Sequence, residues 1–172
     1  METSLKTQSI TAVSFESRMA EETKHLIEKR NWRVISAPSM QEIPLEKNPE
    51  AFQFADKLFA GHIDMLICMT GVGTKILVEI LSTRTPKEKI IAALSKTNIV
   101  ARGPKPVKAL KDLGIPITIT IPEPNTWFEI LEELDLNRKS ISLEGKTVAI
   151  QEYGVANEDL IKGLKKRGDV LK

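Results

Sequence analysis

Three stretches of this chain carry residues that could hold an anion without any reactive side chain. The first is Thr70-Gly71-Val72-Gly73-Thr74, where two glycines let the backbone approach a ligand and two threonines add hydroxyl donors. The second is Ala101-Arg102-Gly103-Pro104-Lys105-Pro106, where Arg102 and Lys105 set positive charge beside a helix start. The third is Gln151-Glu152-Tyr153-Gly154-Val155, where Gly154 permits close approach and Tyr153, the single tyrosine, can donate a hydrogen bond. Each follows an apolar run and precedes a helical pattern. Main-chain N–H groups at a helix N-terminus would therefore face a bound carboxylate or phosphate. The same patterns also serve as plain strand-to-helix turns, with solvated bases at Arg102 and Lys105 and a packed ring at Tyr153.

Other chemistries find little support. The stretch 70–74 lacks the third glycine of a dinucleotide turn and the Gly-Lys-Ser/Thr ending of a P-loop. No nucleophile–base pair is visible: Cys68 lies inside an apolar run, no serine and histidine fall in an elbow motif, and no two carboxylates share a predicted cleft. Glu152 is the one acid beside the three loops and reads as a surface residue. Any catalysis would rest on positioning and electrostatics, and no residue is assigned as general acid or base. With 25 basic and 23 acidic residues the net charge is +2, which gives no long-range field to gather nucleic acid or an anionic membrane. Cys68 has no second cysteine to pair with and reads as a buried thiol of a reducing compartment. His25 and His62 stand too far from other metal-binding side chains for a zinc site. The N-terminus has no apolar signal core, and no window nears the roughly 18 apolar residues of a membrane span, so a cytoplasmic location is expected.

The elements that must position these loops alternate between short β-rich runs and amphipathic helices. Strands are expected over 10–15, 32–37, 64–69, 98–102, 117–121 and 147–150. Helices are expected over 18–29, 49–60, 74–81, 86–94, 104–113, 127–134 and 158–166. Pro86 is placed at a first helical turn, Gly114 just past a helix end, Thr126 and Glu129 as a capping box, and Asn157 as a cap. The run 64–69 is almost unbroken in apolar character, as in a parallel strand buried on both faces. This alternation predicts an α/β fold with a mostly parallel sheet, right-handed crossovers and helices on both faces. The boundary between units is expected between Pro38 and Pro49. Residues 169–172 read as the start of a further strand.

Taken in order, these blocks resemble uroporphyrinogen-III synthase. The stretch from Ile99 to Ile115, with Arg102, Gly103 and Lys105, resembles the family's strand–Arg-Gly-x-Lys–helix–Gly block. Met69 to Gly73 resembles a strand-end loop of its bacterial form, and Gln151 to Gly154 with 157–168 resembles the block that follows. The resemblance runs from about Ile10 onward. It implies a HemD-like fold of two α/β domains around a cleft, one of them discontinuous. Residues 1–42 would begin the discontinuous domain, 43–168 would form the complete inserted one, and 169–172 would start the return linker.

The resemblance further implies a lyase of tetrapyrrole (haem) biosynthesis. It would close hydroxymethylbilane to uroporphyrinogen III with inversion of ring D through a spiro intermediate, using no metal or cofactor. Thr70, Gly71, Val72, Gly73, Arg102, Gly103, Lys105, Tyr153 and Gly154 would contact this polyanionic substrate. The family's pattern continues with a further tyrosine and the rest of the discontinuous domain, so this chain is expected to lack one wall of the cleft. It would be a fragment or a shortened homologue, inactive alone or prone to self-association through exposed strand edges. A non-catalytic HemD-like binding or regulatory module is the alternative. A receiver or nucleotide-binding domain is disfavoured, because Glu16 is a lone acid and Met69-Thr70 ends a strand where a receiver needs aspartate.

Overall fold

The computed structural model describes residues 10–17, 19–40, 48–152 and 155–171. The chain forms two compact units, Met1–Ile43 and Pro44–Lys172.

In the first unit, β1 (Thr11–Ser14) and β2 (Arg33–Ser36) pair in parallel, with Ala12 opposite Val34 and Val13 opposite Ile35. Helix α1 (Ala20–Glu28) connects them and carries Glu21 and Glu22 in its first turn. This unit buries little: α1 has no buried residue, and Val13 and Ile35 each remain 53% exposed.

The second unit is built on β3 (Met65–Cys68), β4 (Asn98–Ala101), β5 (Ile119–Thr120), β6 (Thr147–Gln151) and β7 (Asp169–Leu171). All pairings are parallel, in the order β5-β4-β3-β6-β7. Because side chains alternate along a strand, the central strands feed two separate cores. Leu66, Cys68, Ile99 and Ala101 pack beneath α2 (Pro49–Phe59), α3 (Gly71–Ser82), α4 (Lys87–Leu94) and α5 (Pro104–Asp112). Met65, Ile67, Val100 and Ile150 pack beneath α6 (Trp127–Leu136) and α7 (Glu158–Lys165). Each fully buried large aliphatic contributes about 1.5–3 kcal/mol relative to exposure.

The parallel α/β architecture expected from the alternation is present, with adjustments at element ends. The largest is α3, which begins at Gly71 rather than Thr74. Pro86 is the N-cap of α4 rather than its first helical residue. β5 is two residues long: the Thr118 N–H still donates to the Ile99 carbonyl at 2.8 Å, but the Ile99 N–H is taken by Thr118 Oγ1 at 3.0 Å rather than by a main-chain carbonyl. Thr126 and Glu129 form the capping box, and Asn157 Oδ1 accepts the Leu160 N–H at 2.9 Å. Residues 169–171 form β7 beside β6. Among the described residues no helix is long and apolar enough to cross a membrane.

Candidate functional site

The C-terminal ends of β5, β4, β3 and β6 lie side by side in one row. The strand order reverses between β3 and β6, since α3 leaves β3 over one face and α7 leaves β6 over the other. In an open α/β sheet that reversal leaves a crevice at the strand ends, where ligands bind.

At β3, Thr70 is the N-cap of α3 (φ −141°, ψ 147°), and its Oγ1 accepts the Gly73 N–H at 3.0 Å. Gly71, Val72 and Gly73 are therefore the helix's first turn and not a loop before it. The Gly71 and Val72 N–H groups have no acceptor within the helix, and none among the described residues. Val72 is exposed, Thr70 and Gly71 are half-buried, and Gly73 is buried. Thr74 is buried and its hydroxyl donates to the Thr70 carbonyl at 2.7 Å. That hydroxyl is an internal brace, contrary to its expected use as a donor to ligand.

At β4, the Arg102 N–H donates to the Cys68 carbonyl at 3.1 Å, which ties the β4 tip to β3. Gly103 caps α5, with Pro104 at its first turn. Arg102 is half-buried and Lys105 exposed, and neither forms an ion pair among the described residues. Two unpaired cations thus stand at the N-terminus of α5, whose dipole carries the same sign.

The glycines explain how closely these tips approach. A Cβ on Gly71 would come 2.6 Å from the Lys105 carbonyl oxygen, so the first turns of α3 and α5 are in backbone contact. A Cβ on Gly73 would collide with the Gln151 amide, and one on Gly103 would come 2.8 Å from Asn125 Oδ1. Gly103 has φ 177°, an extended conformation open to any residue, so packing against Asn125 is what demands glycine there. The room that glycine leaves at these positions is filled from within the protein. Contact with a ligand would accordingly come from the free N–H groups and the cations, not from glycine clefts. Thr70, Gly71, Val72, Gly73, Arg102, Gly103 and Lys105 are brought to one tip, while Tyr153 and Gly154 lie outside the described residues.

Two residues of this tip were not singled out from sequence. Gln151, the last residue of β6, is buried; its Oε1 accepts the Thr70 N–H at 3.4 Å and its Nε2 donates to the Glu152 carbonyl at 2.8 Å. Asn125 takes φ 58°, and its Nδ2 donates to the Ile121 carbonyl at 3.0 Å. A polar residue closing an apolar run signals the first. The turn-rich Pro122-Glu123-Pro124-Asn125 marks a fourth strand-end loop. Glu152, read from sequence as a surface residue, is half-buried, and its Oε1 accepts the N–H of Asn157, the N-cap of α7, at 3.2 Å.

Cys68 is buried beneath this tip, and burial pushes its thiol up to about 11 despite a hydrogen bond with Thr74. It is an inert core residue. Among the described residues no group of three or more His, Cys, Asp or Glu side chains converges as a metal site.

Comparison with known proteins gives this geometry a family. Residues 21–171 match the family described as uroporphyrinogen-III synthase HemD. Wild-type uroporphyrinogen III synthase of Thermus thermophilus is 26% identical; it superposes with a TM-score of 0.64 over 95% of this chain and 59% of that one. A mutant form of the same synthase gives 24% identity and a TM-score of 0.63, over 95% and 60% of the two chains. The uncharacterized protein YjjA of Bacillus subtilis (strain 168) is 27% identical over 155 residues, 88% of this chain and 54% of that protein. The chain thus spans between half and two thirds of the length of these relatives. With the family match covering most of its length, the chain belongs to the uroporphyrinogen-III synthase HemD family.

Proposed function

We propose that the strand-end tip of the second unit binds the carboxylates of a linear tetrapyrrole. In the whole protein it would act in closing hydroxymethylbilane to uroporphyrinogen III. One observation carries this reading: Gly71 lies against Lys105, so two helix N-termini stand together with the cations Arg102 and Lys105, which pair with no acid among the described residues. Main-chain N–H groups and fixed cations suit acetate and propionate side chains, which are anionic at neutral pH.

The residues would work by placement. Gly71 and Val72 N–H groups, with Arg102 and Lys105, would fix the acidic side chains and so hold the reacting terminal ring in one orientation. Orientation of this kind can supply a large part of a rate enhancement without covalent help from the protein. Tyr153 and Gly154 are proposed as further contacts from the β6 side. A tip of fixed donors is also suited to holding charge still while a cationic intermediate forms in the substrate.

The test is a coupled assay with hydroxymethylbilane on the whole gene product, resolving the type III isomer from the type I product that forms spontaneously. Type III in excess supports the enzyme reading, and type I alone ends it. The second reading, binding without catalysis, draws on the make-up of the tip, which offers main-chain N–H groups and cations but no reactive side chain among the described residues. Tight association of a tetrapyrrole octacarboxylate with no excess of type III is its signature.

A further inference from the structure

The reversal of strand order between β3 and β6 is bridged by one buried side chain. Gln151 is 7% exposed, and its carboxamide lies in the notch that Gly73 leaves in the first turn of α3. Its Oε1 accepts the Thr70 N–H at 3.4 Å, and its Nε2 donates to the Glu152 carbonyl at 2.8 Å. The reversed amide would set an NH2 group against the Thr70 N–H, so these partners fix its orientation. A carboxamide in a strand of apolar residues is unfavourable unless both ends are satisfied. Here both are, and they join the N-cap of α3 to the segment leading into Tyr153. No other side chain among the described residues makes a hydrogen bond to the main chain of both strand ends.

We infer that Gln151 is a positioning residue for the anion-binding tip. By holding the Thr70 N–H it fixes the N-cap, and through the cap it sets the direction of the free Gly71 and Val72 N–H groups. It also holds the Glu152 carbonyl, at the end of β6, in register with them. Its effect on ligand rests on the carboxylate-binding reading above, whereas its effect on the amides does not.

The experiment uses amide hydrogen exchange and 15N spectra of the full chain, without and with uroporphyrin I as the octacarboxylate probe. Gln151→Met keeps the length of the side chain and its filling of the Gly73 notch but removes both hydrogen bonds. Gly73→Ala displaces the amide from the other side. Both variants are expected to speed exchange at Thr70 and to move the Gly71 and Val72 resonances, leaving those of β4 in place. Gln151→Met should also weaken the probe about tenfold, the usual worth of one oriented hydrogen bond to a charged group. If Gln151→Met is folded and the Thr70, Gly71 and Val72 amides are unchanged, the inference is overturned. It is equally overturned if those amides move while wild type and variant bind the probe with the same affinity. If the amides respond but the wild type itself does not bind the probe at the tip, the role of Gln151 in orienting α3 stands and the carboxylate reading falls.

Discussion

Gly71 of α3 sits directly over the Lys105 carbonyl of α5, with 2.6 Å between that oxygen and the position a Cβ would take. The obstacle is backbone, which cannot rotate aside as a side-chain end can. Gly71→Ala must separate two helix N-termini, and overpacking of this kind costs about 1–3 kcal/mol. Thermal unfolding should show Tm lower by about 2–4 °C for each kcal/mol. Affinity for an octacarboxylate should fall with it, because the two sets of N–H groups no longer converge. An unchanged Tm would mean that α3 and α5 are not in contact there.

Arg102 and Lys105 have no ionic partner among the described residues, so their removal breaks no described ion pair. Arg102→Gln and Lys105→Gln should each weaken uroporphyrin binding about five- to tenfold while leaving the urea midpoint nearly unchanged. The salt dependence of binding should become shallower in both. Titration at two ionic strengths checks this, and equal affinity for wild type and both variants would remove the cations from the site.

The opposite end of the sheet gives a pH prediction. Burial of Asp64 raises its pKa, but hydrogen bonds from Lys146 and the Thr147 N–H, with the Lys146 charge, outweigh it and hold the carboxyl below its ordinary value. A carboxyl depressed in the folded state adds stability above its unfolded pKa of about 3.9, and loses it as pH falls through the folded value. Asp64→Asn should therefore be less stable than wild type at pH 6–7 by about 1 kcal/mol, a figure reduced for partial exposure. The difference should close on acidification below pH 4. Asp135, lowered chiefly by its hydrogen bond with Arg167, has a side chain 53% exposed against 33% for Asp64, so its effect should be smaller. Urea midpoints across pH measure both.

Cys68 should be silent in the native state. With its thiol at about 11, roughly one molecule in a thousand is thiolate at pH 8, and that thiolate is buried. A thiol reagent should label it only on unfolding, with rates falling in step with stability across the variants above. Rapid labelling of folded protein would show that the strand end opens locally.

Local chemistry wrote much of this fold into single residues. Pro49 and Pro104 open helices, Thr126 and Asn157 cap them, and Gly114 follows one with φ 71°. The start of α3 was less legible. Gly71 and Gly73 are poor helix formers, so local preference places them in a loop. They are helical because Thr70 caps the turn, and they are glycine because Lys105 and Gln151 leave no room for a side chain. Asn125 was hidden for a similar reason, as its left-handed φ and its place against Gly103 depend on where the short β5 ends.

By itself the sequence determined the alternation of strand and helix, the parallel sheet that alternation requires, and which residues follow each strand. Those features depend on periodicity, caps and turns, all set within a few residues of chain. Only the tertiary structure decided the order β5-β4-β3-β6-β7 and the reversal between β3 and β6. It alone made neighbours of Thr70 and Gln151, 81 positions apart. Strand order is chosen by how the helices cover both faces of the sheet, a competition among long-range burials that no local pattern encodes.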